Sequence, residues 1–356
     1  MNRVRSSDAL EQARANYRLR SVRWGFYWAL WCAVLWGAWY LPGTALWYET
    51  PFSILGASDK GDLLLAAAII TALSSVAVLL FLFVWTGVLE KWPEYGRTIS
   101  QWRITKWYCL GAVFGGPCAL FGSYLAIGYV GPVFAAIAAL MYPVVGATLA
   151  RFWYQEKISR RAVIGIIVIL IGGASIYLPG LLAELSRPDG GAWLGYIGGL
   201  LAAFGWGVEG AIAGRALDVS DPDVGITLRF TAEVLYWLVL ILPGIWWFGD
   251  VDMVALIVSA LGSKALLWIL LAGASFAFCY VAWYKSFPLI GVGRGQAIGA
   301  LYGVFAVVFL SIFTLTLPEW HFLISLALTI IGGFIMFTER AEILEVIRGD
   351  NTPSMY

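Results

Sequence analysis

The sequence predicts an all-α integral membrane protein with ten transmembrane helices arranged as two inverted five-helix repeats. Three observations lead there. Of 356 residues, 61% are hydrophobic and only 13% charged, against about 25% in soluble domains, and the mean hydropathy is +0.81. The apolar residues gather into ten stretches of the roughly 20 residues that a bilayer-crossing helix needs. Landmarks of the first half recur in the second at a nearly constant offset. The composition excludes a water-soluble enzyme, and a net charge of +1 gives no ground for a nucleic-acid partner or a polyanionic substrate.

The first stretch, about 24–46, follows 23 mostly polar residues and exceeds the apolar core of a signal peptide, so it is read as a retained helix. Next come 63–89, 107–130 and 131–150, the last two divided by Gly128, Gly131 and Pro132, and 161–182 closes the half. The second half offers 192–214, 224–248, 264–287, 290–316 and 319–338, with Pro288, Gly291 and Gly293 marking the tight turn before the ninth span. The expected organisation is an N-terminal segment 1–23, a first repeat 24–182, a second repeat 192–338 and a tail 339–356. Within the N-terminal segment, residues 8–20 read either as an amphipathic helix or as a frayed tail. Asp8 and Glu11 stand there at capping-box spacing, with Leu10, Ala13 and Tyr17 on one side. The four cysteines, Cys32, Cys109, Cys118 and Cys279, lack C-x-x-C spacing and read as small buried hydrophobes.

Basic residues set the orientation. With the N-terminus inside, 19 lysines and arginines fall on the inner side and only Lys60, Arg187 and Lys264 outside, so both termini are expected in the cytoplasm of a bacterial inner membrane. The remaining one, Arg229, lies inside the seventh span.

An offset of 160 carries Gly131 onto Gly291, Tyr124 onto Tyr284, Tyr142 onto Tyr302, and Gly172-Gly173 onto Gly332-Gly333. Trp36-Gly37 corresponds to Trp206-Gly207 at an offset of 170. Five spans per half is an odd number, so the second copy must lie upside down relative to the first. Secondary transporters are built this way, with a site near the midplane where the copies meet. In the ninth span Gly291, Gly295, Gly299 and Gly303 recur every fourth residue. The fourth span has Gly131, Ala135, Ala139 and Pro143 there, small residues that let membrane helices approach closely.

As an ordered set these landmarks resemble the drug/metabolite transporter superfamily in its ten-span form, built from two EamA-like repeats. The resemblance covers about residues 24–338. It rests on Leu35-Trp36-Gly37, Phe204-Gly205-Trp206-Gly207, the Tyr124 stretch before Gly131, Gln155-Glu156-Lys157 after the fourth span, and the two glycine pairs. The second half departs from it, with Pro318-Glu319-Trp320-His321 where a counterpart of Gln155-Glu156-Lys157 is sought. The resemblance implies a monomeric carrier of a small-molecule substrate, surrounded by membrane lipid, with a cavity lined by spans 1, 3, 4, 6, 8 and 9. It implies no particular solute, since the superfamily moves amino acids, quaternary amines, sugars and nucleotide sugars.

Ionisable groups inside a membrane are costly and mark candidate sites. Glu209, just after Trp206-Gly207, has Trp39 as its repeat counterpart, so one copy offers a carboxylate where the other offers an indole. A carboxylate among aromatic faces suits a cationic solute, and a carboxyl group in the interior is placed to exchange a proton against it. The competing reading bonds Glu209 to Arg215 or to a helix end. Arg229 and Glu233, four apart in the seventh span, read as a charge pair. If Arg229 leans to Glu209 instead, Glu233 becomes the free titratable group. The candidate substrate-binding set is Trp36, Trp39, Tyr40, Tyr124, Tyr142, Trp206, Glu209, Tyr284, Gln296 and Tyr302, with Glu209, Glu233 and Arg229 for proton coupling or charge pairing. Trp24, Trp28, Trp47, Trp107, Trp246 and Trp247 read as the interfacial belt, Arg294 as reaching headgroups, and His321 as facing the interface.

No G-x-x-x-x-G-K-[ST] occurs, Gly291-Val292-Gly293-Arg294-Gly295 lacks the strand of a dinucleotide site, and one histidine gives metal or haem little to bind. No enzyme activity, cofactor or metal is therefore expected. The leading expectation is a secondary transporter of an amine or quaternary ammonium compound, its two halves rocking about the site. The alternatives are export of aromatic or amphipathic amino acids with the carboxylate on Arg229, a lipid-modifying membrane enzyme, and a receptor or scaffold.

Overall fold

A bilayer core offers backbone groups no water, so a spanning chain must satisfy its own N–H and C=O groups within helices or a closed barrel. The computed structural model, which describes residues 2–57, 60–153, 160–186, 192–249 and 251–337, takes the helical solution, and its described residues contain no strand. The main helices of the first half are α1 (Asn2–Ala45), α2 (Lys60–Val88), α3 (Trp102–Tyr129), α4 (Pro132–Ala139), α5 (Tyr142–Trp153) and α6 (Arg160–Ser186). Those of the second are α7 (Trp193–Ala216), α8 (Pro222–Phe248), α9 (Ala265–Ile290), α10 (Val292–Gly299), α11 (Tyr302–Thr314) and α12 (Trp320–Phe337). Short helices Phe52–Ala57, Trp92–Ser100 and Met253–Leu261 lie in the connections.

Among the described residues, seven helices are long and apolar enough to cross a bilayer, from Arg20–Tyr48 to Val292–Thr314, and the chain is an integral membrane protein. Shorter apolar helices, Pro132–Gly146, Val163–Ser175 and Trp320–Ile335, occupy the other three predicted stretches. Helix α1 begins at Asn2, so residues 8–20 run straight into the first span as neither a separate amphipathic helix nor a frayed tail. Gln155-Glu156-Lys157, Arg187 and the tail 339–356 lie outside the described residues.

The two halves are interrupted at matching places. Gly131 before α4 and Gly291 before α10 both adopt positive φ, 121° and 84°, a conformation open to glycine but costly for other residues. The breaks that separate α4 from α5 and α10 from α11 also fall 160 residues apart. Across each break a tyrosine reaches the other half of the chain: Tyr142, opening α5, donates to the Gln296 carbonyl, and Tyr302, opening α11, donates to the Ala136 carbonyl at 2.9 Å. Both acceptors belong to the last turn of a short helix; the Gln296 carbonyl also accepts from the Ala300 N–H at 2.9 Å, whereas the N–H of Leu140 after α4 bonds Ile137 and Ala138 instead of Ala136.

Packing repeats the pattern. Helix α1 lies against α9, α10 and α11, and α7 lies against α3, α4 and α5; α2 packs on α8 and α6 on α12. A methyl group on Gly37 would strike Phe305, and one on Gly207 would strike Val145, again 160 residues apart. Gly172 rests on Ser325 and Thr329 just as Gly332 rests on Gly165 and Ile169. The close-packed groups are therefore not the sequence halves expected to rock: each takes its first helix from the other half.

Candidate functional site

The polar centre lies where these two groups meet. Helix α7 presents Gly205-Trp206-Gly207-Val208-Glu209-Gly210, and its small residues let it sit directly on α3 and α5. That approach buries Glu209 completely. Arg229 on α8 places Nε 2.7 Å from Glu209 Oε1, while its Nη1 pairs with Glu233, one turn further along α8. Ser75 of α2 donates to the other oxygen of Glu233. Tyr280 and Tyr284 of α9 donate to the two oxygens of Glu209, at 2.9 and 3.3 Å, and the Trp206 indole donates to the Tyr280 hydroxyl at 2.9 Å. The guanidinium also lies over the Phe230 and Tyr280 rings, at 4.1 and 4.9 Å.

Room for the trio comes from α3. Its middle, Phe114–Leu120, winds as a π-helix around Gly115-Gly116-Pro117, since proline supplies no N–H to the regular ladder and a wide turn absorbs the mismatch. A methyl on Gly115 would land on Arg229 and Glu209, and one on Gly116 on Glu233. Bare backbone thus covers three buried charges. Two carboxylates share one guanidinium, so the trio carries a net charge of −1 when both are ionised and is neutral after taking up one proton.

Arg229 makes the expected pair with Glu233 and holds Glu209 as well, so the alternative that frees Glu233 does not arise. Arg215 lies over the Trp107 ring at 5.1 Å rather than beside Glu209.

The predicted aromatic residues converge next to the trio. Trp36 is the hub: it stacks on Tyr302 with centroids 4.4 Å apart and meets Trp206 edge-on at 4.7 Å, with Tyr142 and Trp283 at 5.7 and 5.9 Å. Trp39 stacks on Phe276 at 4.9 Å and meets Tyr124 at 5.3 Å, and Tyr40 lies parallel to Tyr302. All are buried, so ring-on-ring packing replaces the open central cavity expected here. Tyr142 and Tyr302 spend their hydroxyls on the opposite half's backbone and Tyr124 spends its own on Ser74, so these three position helices at least as much as they line a site. Gln296 on α10 inserts its amide between Gly146 and Gly210. A cavity of about 460 Å³ opens one turn beyond Tyr40, lined by Thr44, Trp47, Ser53, Ile127, Gly128 and Pro132.

Tyr280, Ser75, Trp283, Phe276, Gly115 and Gly116 were not among the predicted site residues. Tyr280 was legible as the residue one helical turn before Tyr284, and Gly115-Gly116-Pro117 as a break inside an apolar span. A second ionic group was also missed. Lys91, just beyond α2, lies 2.7 Å from both Asp221 and Asp223, and Lys285 lies 3.1 Å from Asp223. Partial burial alone would lower the Lys91 ammonium, but hydrogen bonds and charge from Asp221 and Asp223 outweigh it and raise the group above the ordinary lysine value. This group ties together the adjoining ends of α2, α8 and α9.

No family model matches the chain, and no curated protein matches it in sequence. Solved structures do resemble it. One crystal structure aligns with a TM-score of 0.51 at 15% identity, covering 88% of this chain and 96% of that one, which is a likeness of fold.

Proposed function

We propose that this protein is a secondary transporter of the drug/metabolite type, moving a small amine or quaternary ammonium compound by alternating access. The observation that carries the proposal is the seam itself: Glu209 on α7 is held by Tyr280 and Tyr284 on α9, and Trp206 on α7 meets Trp36 on α1. Every one of these contacts joins one packed group to the other. A net-negative trio walled by aromatic faces attracts an ammonium group, and a solute that replaces these contacts separates the groups. On this reading the moving units are α1 with α9–α11 against α7 with α3–α5.

The proposal includes ten crossings and an inverted repeat, supported by the matched breaks, the reciprocal Tyr142 and Tyr302 bonds and the exchangeable packing of α1 with α7. It places both termini in the cytoplasm of a bacterial inner membrane, on the 19-to-3 division of basic residues. One proton on the two carboxylates is the natural coupling ion, because taking it up cancels the charge that holds the solute. Amino-acid recognition through Arg229 is less favoured, since its guanidinium is engaged by two carboxylates. A lipid-modifying enzyme is less favoured because the clustered polar groups are fully buried. Purified protein in proteoliposomes should take up a labelled amine when a pH gradient is imposed and should be stabilised by amines in a thermal-shift screen that also holds amino acids and sugars. Absence of both flux and stabilisation with every amine would overturn the proposal.

A further inference from the structure

Buried donors in a low-dielectric interior are normally paired, and an unpaired one marks either a cost or a missing acceptor. Around the aromatic centre, the indole N–H groups of Trp36 and Trp283 and the amide nitrogen of Gln296 are each buried and donate to no protein atom, though each residue is at most 1% exposed. They come from α1, α9 and α10, and their side chains lie in one neighbourhood. The rings of Trp36 and Trp283 are 5.9 Å apart, and a methyl on Gly210 would touch both Gln296 and Trp283. A methyl on Gly299 would sit 3.8 Å from the Trp283 nitrogen. Gly210 is the residue next to Glu209, so these donors border the acidic trio.

All three are donors and none is an acceptor. A hydroxyl group would bring a hydrogen needing its own acceptor, whereas a carboxylate accepts up to about four hydrogen bonds and donates none. A phosphate is a poor fit, because its larger charge needs a cation and Arg229 is already engaged by Glu209 and Glu233. A carboxylate on the same molecule as an ammonium group supplies its own counter-charge. We infer that Trp36, Trp283 and Gln296 form an acceptor-recognising subsite, and that the solute is a zwitterion, its ammonium toward Glu209 and its carboxylate on these three donors. This inference rests on the ammonium reading of the site and narrows it.

The test uses two probe pairs that differ by a carboxylate, glycine betaine with tetramethylammonium and phenylalanine with phenethylamine, binding to purified full-length protein by calorimetry. In at least one pair the carboxylated member should bind tenfold or more tighter. Trp283→Phe and Gln296→Leu should each reduce that advantage about tenfold, weakening the carboxylated member much more than its carboxylate-free partner, as expected for loss of one hydrogen bond to a charged group. Gln296→Glu, close to the native shape, should abolish the advantage by repulsion, which keeps the test decisive if either other variant folds poorly. Equal Kd values within both pairs would overturn the inference and leave the ammonium site standing. Failure of all four probes to bind would overturn the ammonium reading and this inference with it.

Discussion

Two corresponding places in the molecule share a frame and differ in chemistry. On α1, Trp39 lies beside Tyr124 and is stacked on Phe276, with Ser275 bonded to the Leu35 carbonyl at 2.7 Å. On α7, Glu209 lies beside Tyr284, and the residues matching Ser275 and Phe276 at the 160 offset are Gly115 and Gly116. One half fills the space with an indole and a phenyl ring. The other empties it of side chains and admits a carboxylate with its guanidinium partner. Matched packing in the two halves thus sets where the centre is, and a few differences between the halves decide whether rings or charges fill it.

The largest expected effect comes from breaking the charged place. Arg229→Met leaves two buried carboxylates without their cation and should cost about 3–5 kcal/mol of stability, read as a lowered denaturation midpoint in detergent. Arg229→Met combined with Glu209→Gln and Glu233→Gln removes every charge and should recover most of that loss. Equal losses in the single and triple variants would show that the trio is not coupled. Next in size is volume. Gly116→Ala places a methyl on Glu233 and should destabilise by about 1–3 kcal/mol through overpacking, and Phe276→Ala at the matching place should cost about 3–5 kcal/mol if its ring fills space as the packing shows. An enlarged Gly116 that is neutral would mean α3 has slack beside the trio.

Much of this contrast was legible before any coordinates. Offsets of 160 and 170 already align Gly131 with Gly291 and Trp39 with Glu209, because helices that pack alike need small and aromatic residues at like positions. What stayed hidden was which side chains meet across the seam. Arg229 is four residues from Glu233 and twenty from Glu209, and helical spacing favours the near partner, yet α7 and α8 pack so that it holds both. Ser75 and Tyr280 are ordinary residues of apolar spans until α2 and α9 turn them toward the carboxylates. The central aromatics showed their neighbourhood but not their state, since composition does not distinguish a cavity wall from a packed ring.

A smaller effect separates the functional from the structural meaning of the contrast. Glu209→Gln keeps shape and removes charge, so amine binding should weaken about tenfold, or about 1.4 kcal/mol. Uptake should lose its pH dependence, because, of the titratable or charged groups facing that carboxylate, Tyr280 and Tyr284 are hydrogen-bond donors and Arg229 with Glu233 is already balanced without taking up a proton. Trp39→Ala should weaken binding and leave the pH profile intact, as it removes a wall without a titratable group. Calorimetry and uptake across pH 6–8 would reveal the opposite pattern, a flattened profile in Trp39→Ala, which would place the coupling outside Glu209.

The smallest effect tests the shared frame directly. Tyr142→Phe and Tyr302→Phe each remove one hydroxyl that bonds a carbonyl in the last turn of the other half's short helix. Each should cost about 1 kcal/mol, the net value of a typical buried hydrogen bond, and Tyr302→Phe somewhat more, because the Ala136 carbonyl then loses its partner while the Gln296 carbonyl keeps the Ala300 N–H. The order of the two is the informative result. The charged place has no equivalent in the first half, whereas these two bonds are related by the 160 offset, so both deletions should lower the denaturation midpoint, Tyr302→Phe by the larger amount. The reverse order would mean that the two broken helices, α4 with α5 and α10 with α11, are braced differently in solution, and that the asymmetry begins in the scaffold and not in the residues it carries.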